Sequence, residues 1–122
     1  MKQQQFSLRS RLNSFGFAFS GLSAFFRQEP NAWLHLMATL TVFMAAWHFK
    51  LSFYEVIALI IVTGSVWVAE IFNTAIERIM DFISKEKNAD IKFIKDLAAF
   101  GVLLSAITAM VTGAFIFIPK LL

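Results

Sequence analysis

Long charge-free blocks organise most of this chain. Between Glu29 and Lys50 lie 20 residues without Asp, Glu, Lys or Arg, between Asp96 and Lys120 lie 23, and from Leu51 to Ala69 the only charge is Glu55. A bilayer's hydrocarbon core is about 30 Å thick and takes about 20 apolar residues per helix, so the blocks predict membrane helices over 31–49, 53–80 and 93–118. Ahead of them the pattern changes. Leu8, Leu12, Phe15, Phe19, Leu22 and Phe26 recur at steps of three and four, with Arg9, Asn13, Gly16, Ser20, Ser23 and Arg27 on a second stripe of the same spacing. That periodicity predicts an amphipathic helix over 5–28 lying on the membrane surface. The fold class expected is therefore all-α integral membrane, one domain over 1–122 with a surface helix and three spanning helices.

The joints between these elements are legible. At Glu29-Pro30 the proline has the fixed φ and missing N–H that suit a first helical position. Ser52-Phe53-Tyr54-Glu55 has capping-box spacing and gives Glu55 a structural role. With no glycine or proline after Val68, the second membrane helix should run out of the bilayer as one rod, followed by a loop over 84–91 and a third helix ending at Pro119. Gly101, Ser105, Ala109 and Gly113 form a narrow stripe of small residues along that helix, where another helix can approach closely.

Composition strengthens the membrane reading: 58% of the residues are hydrophobic, beyond soluble-domain usage. The Met-Lys-Gln-Gln-Gln start does not lead into a cleavable signal, and with no cysteine there is no disulfide or thiolate chemistry. The net charge of +3 matters by position. Lys2, Arg9, Arg11 and Arg27 precede the first span and Arg78, Lys85, Lys87, Lys92 and Lys95 lie between the second and third, against Lys50 in the first connection and Lys120 near the end. The positive-inside rule places the N-terminus and second loop in the cytoplasm and the C-terminus outside. The distribution of these basic residues sets the expected topology, and no nucleic-acid partner is expected. Trp33, Trp47 and Tyr54 fall near the interfaces as aromatic belts.

Candidate chemistry gathers at the cytoplasmic end of the second span. Glu70, Asn73 and Glu77 share a helix face, with Thr74 beside them and Asp81 one turn on. Carboxylates at a membrane boundary need a partner, a metal or water. Glu29, Lys95 and Asp96 are expected on the same plane, which would converge three Glu, one Asn, one Lys and one Asp. Hard oxygen donors in that number suit Mg²⁺ together with phosphate oxygens. The alternative is a set of interhelical bonds that only fix packing, such as Lys95 to Glu77. No phosphate-binding glycine loop is present, so nothing in the spacing alone names a reaction.

The run Glu70-Ile71-Phe72-Asn73-Thr74-Ala75-Ile76-Glu77 fits the pattern Glu-x-x-Asn-[Ser/Thr]-Ala-x-Glu and resembles the prokaryotic diacylglycerol kinase family. The similarity extends to Ser14-Phe15-Gly16-Phe17-Ala18, Gly21-Leu22, Glu29 with Asn31 and His35, and Lys95-Asp96, and so covers nearly the whole chain. The resemblance implies a homotrimeric helical bundle in the bacterial inner membrane, with sites built between neighbouring subunits. It implies ATP and Mg²⁺ as reactant and metal, with diacylglycerol or undecaprenol as acceptor. By the same resemblance Glu70 is the general base, Glu29 and Glu77 hold metal on ATP with Asn73 in support, Lys95 contacts phosphate and Asp96 shapes the site. His35 is a candidate to line the acceptor site or else a packing histidine, and Arg11 a candidate phosphate contact or else an anionic-lipid contact. Trp33 and Phe100-Gly101 depart from the family pattern, and Asn31 with His35 is similar to the undecaprenol-kinase branch, so the acceptor stays open. The competing readings are a small multidrug-type proton-coupled transporter, which usually has four spans and its glutamate in the first, and a non-catalytic assembly subunit.

Overall fold

Residues 6–122 are described by the structure, a computed structural model; Lys2 and the expected helix start at Gln5 lie outside them. The element order is α1 (Leu8–Gln28), α2 (Pro30–His48), α3 (Phe53–Ile83) and α4 (Ala89–Leu121). The chain divides into two compact units, Met1–Ala38 and Thr39–Leu122.

In the first unit, α1 starts where Ser7 accepts a hydrogen bond from the Ser10 N–H at 3.1 Å. It stops at Glu29, which is extended at φ −115 and ψ 107 because the Pro30 ring excludes helical geometry from the residue before it. The elbow is fixed by Trp33, whose Nε1–H donates to the Phe26 carbonyl at 3.0 Å and whose ring meets Phe26 edge-on at 5.1 Å. Phe25 and Ala32 are buried there. The rest of the apolar stripe is outward: Leu8, Leu12, Phe15 and Phe19 are all exposed.

The second unit holds the end of α2, all of α3 and all of α4. Its α2–α3 turn is a Schellman motif. Leu51 N–H bonds the Ala46 carbonyl at 3.2 Å, Lys50 N–H bonds that of Trp47 at 3.3 Å, and Leu51 packs back on Ala46. Lys50 occupies the left-handed position, φ 52, where glycine is usual. The capping box follows, with Glu55 N–H to Ser52 Oγ at 3.3 Å and Ser52 N–H to Glu55 Oε1 at 3.0 Å. Ala46, Leu59 and Ile116 form the buried cluster at this end, with Val42, Phe43 and Phe117 against it.

The α3–α4 pair keeps one antiparallel register throughout. Glu55 Oε1 meets Lys120 Nζ at 3.3 Å, Leu59 and Ile116 share the cluster, and Asp81 Oδ1 meets Lys95 Nζ at 2.5 Å. The two ion pairs stand about 39 Å apart along α3 at 1.5 Å per residue, bracketing a length of helix that exceeds a bilayer core. Both helices are long and apolar enough to cross a membrane, and only 6% of the apolar window of each is buried. Apolar faces turned outward in this way suit lipid and not a soluble core.

The helix bounds differ from the expected ones for local reasons. Helix α4 begins at Ala89 instead of 93 because Asn88 caps it, accepting from the Asp90 and Ile91 N–H groups at 2.8 and 3.3 Å. Pro119 does not end α4; it sits in the final turn, where the lost N–H removes one bond only and the helix closes two residues later at Leu121. Helix α3 runs on to Ile83, nothing stopping it before Ser84 caps it through its N–H to the Met80 carbonyl. At Gly101 and Gly113 an added Cβ would meet nothing within 4 Å, so neither glycine is used for close approach within one chain.

A left-handed lysine costs about 1–2 kcal/mol relative to an allowed conformation. Lys50→Gly should therefore raise stability by about 1 kcal/mol, seen as a higher unfolding midpoint in detergent; a lower midpoint would contradict the Schellman assignment.

Candidate active site

Helix α3 carries the site because one uninterrupted rod joins an apolar stretch to a polar column. Glu70, Asn73, Thr74 and Glu77 are all half-buried. Asn73 Nδ2–H donates to Glu77 Oε1 at 3.3 Å, the i,i+4 contact that the spacing allows. Because a carboxylate only accepts, the amide nitrogen must face it, which turns Asn73 Oδ1 the other way. That oxygen is buried and has no hydrogen-bond partner. A buried amide oxygen left without a partner, facing away from the Glu77 carboxylate, is the kind of group that a hard cation or a water satisfies. In donor chemistry Asn73 and Glu77, which offer hard oxygens from an amide and a carboxylate, fit Mg²⁺.

Asp81, one turn beyond Glu77, holds Lys95, not the Glu77 pairing considered from the sequence. The short α3–α4 connection sets the register so that Lys95 reaches Asp81, one turn nearer the loop. Asp96 instead pairs with Lys92 along α4. These residues, with Ser84, Lys85 and Lys87, line an open groove at the α3–α4 turn. Four lysines line it with Asp81, Glu86 and Asp96; Lys92 and Lys95 are held by two of these acids.

Lys95 does not share the level of Glu70. Lys95 is level with Asp81, about 16 Å along α3 from Glu70 at 1.5 Å per residue, because α3 remains helical through Ile83. Glu29 closes α1, its N–H bonding the Phe25 carbonyl at 2.9 Å and its own carbonyl accepting from Ala32 N–H at 3.1 Å; its carboxylate-bearing side chain is half-buried. His35 is half-buried on α2, and Arg11 is exposed on α1 with its guanidinium 5.0 Å from the Phe6 ring centre. Among the described residues, no three His, Cys, Asp or Glu side chains gather as a metal cluster. Among the interactions that spacing alone did not reveal are Asp81 with Lys95, Glu55 with Lys120 and a bond from Trp67 to Thr39. Asp81 carried a signal, as the next acidic residue along the same face; Trp67 carried none beyond its place in an apolar run.

A model of the family described as prokaryotic diacylglycerol kinase matches residues 16–117. The chain belongs to that family. It is 31% identical over 120 residues to an undecaprenol kinase of Bacillus subtilis (strain 168), with 98% of each chain covered. It is 33% identical over 112 residues to a diacylglycerol kinase of Synechocystis sp., covering 91% of this chain and 64% of that one. Family membership makes the protein a lipid kinase that uses ATP, and with the two apolar helices it places the protein at a membrane. The transporter and assembly-subunit readings fall with it.

Asn73→Asp sets two carboxylates at i,i+4 and should lower stability by about 0.2–0.5 kcal/mol in EDTA, with Mg²⁺ restoring it. Thermal unfolding in detergent measures this; a loss that Mg²⁺ leaves untouched would contradict a cation seat at this pair.

Proposed function

We propose that this family member transfers the γ-phosphate of ATP to the hydroxyl of a membrane lipid alcohol, diacylglycerol or undecaprenol, at the cytoplasmic face. The observation that carries this reading is the half-buried Glu70 at the point where an apolar helix becomes a polar column, with the oriented Asn73–Glu77 pair above it. A lipid hydroxyl reaches that level with its chain still in hydrocarbon. Glu70 is the general base: it accepts the hydroxyl proton as the oxygen attacks the γ-phosphorus, whose bond to the β,γ-bridging oxygen breaks to release ADP. Glu29 and Glu77 hold Mg²⁺ on the nucleotide, Asn73 orients Glu77, Lys95 meets phosphate and Asp96 shapes its surroundings. When bound, Mg²⁺ supplies charge neutralisation on the phosphates, which phosphoryl transfer needs more than covalent chemistry. His35 lines the acceptor side, and Arg11 adds a cation for nucleotide or anionic lipid.

On this reading the whole chain is one membrane-embedded domain. Helix α2 is a third crossing, the N-terminus and the α3–α4 turn are cytoplasmic, and α1 lies on the inner leaflet with its apolar stripe in lipid. Three copies form a bundle and complete one another's sites. The separation of Lys95 from Glu70 along a single hairpin supports a site that draws on more than one chain. The unused glycines Gly101 and Gly113 leave room for a neighbouring helix.

Glu70→Gln should cut turnover about 10²- to 10⁴-fold with either alcohol, measured with purified protein and labelled ATP; normal turnover with both would remove the base assignment. Since the chain has no native cysteine, single cysteines report topology. Leu122→Cys should react with an impermeant maleimide in intact cells and Lys87→Cys only after lysis, and the reverse pattern would invert the proposed orientation.

A further inference from the structure

Trp67 is a tryptophan that neither the interfacial belts nor the kinase reading uses. Trp33 and Trp47 are exposed, at 56% and 84%, while Trp67 is half-buried in the apolar part of α3. Its Nε1–H donates to Thr39 Oγ1 on α2 at 2.9 Å, a partly buried side-chain bond between the two helices. In surroundings with little water to replace it, this bond restrains the indole, because turning the ring away would strand an N–H.

The ring is also well placed. On a helix of 3.6 residues per turn, Trp67, Glu70, Thr74, Glu77 and Asp81 fall within an arc of about 80°. Trp67 ends that column on its apolar side, one turn and about 4.5 Å from Glu70. The hydrocarbon of an acceptor whose hydroxyl sits at Glu70 must extend towards the apolar part of α3, because the other direction holds Asn73, Glu77 and Asp81. It therefore passes the level of Trp67. A tethered indole offers that chain a flat, rigid wall at little entropic cost.

We propose that Trp67, held by Thr39, is an acceptor-positioning residue that sets where the lipid chain runs beside α3 and so how its hydroxyl meets Glu70. This rests on the reading of Glu70 as the hydroxyl's partner. Thr39→Val removes the tether while keeping shape, Trp67→Phe keeps an aromatic ring without the N–H, and Thr39→Ser keeps the hydroxyl.

The test is steady-state kinetics of the full chain in mixed micelles with MgATP and dioctanoylglycerol, repeated with undecaprenol. Thr39→Val and Trp67→Phe should each raise the KM for the lipid about 3- to 15-fold, the range for a hydrogen bond between membrane helices. The KM for ATP should stay unchanged, and Thr39→Ser should keep the lipid KM near the parent value. An unchanged lipid KM, or lipid and ATP KM rising together, overturns the proposal, since a general packing role would disturb both. Should a variant fail to fold, protein with Trp33 and Trp47 replaced by Phe reports the same geometry. A diacylglycerol with brominated chains should quench Trp67 fluorescence saturably, and absence of quenching overturns the proposal. Glu70→Gln, measured alongside, separates the two ideas: retained turnover there removes the base, whereas the quenching reads acceptor position without it.

Discussion

Hydrocarbon offers no hydrogen bonds, and the helical hairpin of α3 and α4 is arranged around that constraint. Its interhelical ion pairs lie towards the two ends, Glu55 with Lys120 and Asp81 with Lys95. Partly exposed pairs of this kind contribute only about 0–1 kcal/mol each, so their importance lies in register. With both ends pinned, every residue of α3 has a fixed level against α4. The polar column from Glu70 to Asp81 is then carried along the hairpin at a set height, beginning where the apolar stretch stops.

That fixed height links structure to activity. A kinase acting on a lipid alcohol must bring a water-soluble phosphate donor and a hydrocarbon-anchored hydroxyl to one level, and no deep pocket is required. Helix α3 supplies a graded surface: apolar side chains, then Glu70, then the Asn73–Glu77 pair, then the charged groove of lysines and acids at the turn. Within the column the local helix has satisfied one half of the Asn73 amide and left its Oδ1 buried without a partner. Buried polar atoms without partners are uncommon in folded proteins.

Much of the fold was legible in the sequence because hydrophobic block length, proline placement and cap residues act locally. The Glu29-Pro30 break and the Ser52–Glu55 capping box are set within a few residues, and the structure has both. Pro119 does not mark the end of α4, since proline is tolerated in a final turn whose carbonyls are already losing partners. The site was legible as a column on α3 and illegible as a level across helices. Lys95 meets Asp81 and not Glu77, and the expected plane through Glu70 and Lys95 dissolves, because interhelical register depends on where the loop begins and how far α3 runs on. Trp67 gave no sign in the sequence, as an indole in an apolar run looks like packing until its N–H is seen on Thr39.

Transfer of phosphate from ATP to a lipid hydroxyl is tested most directly by following the phosphorus. Purified full-length protein in lipid micelles would be given γ-labelled ATP, Mg²⁺ and either diacylglycerol or undecaprenol, and the label traced after organic extraction. Label should move into the organic phase as the phosphate ester of at least one of the two alcohols, in proportion to added protein. Label that stays in ATP, or appears only as inorganic phosphate whichever alcohol is supplied, would contradict it.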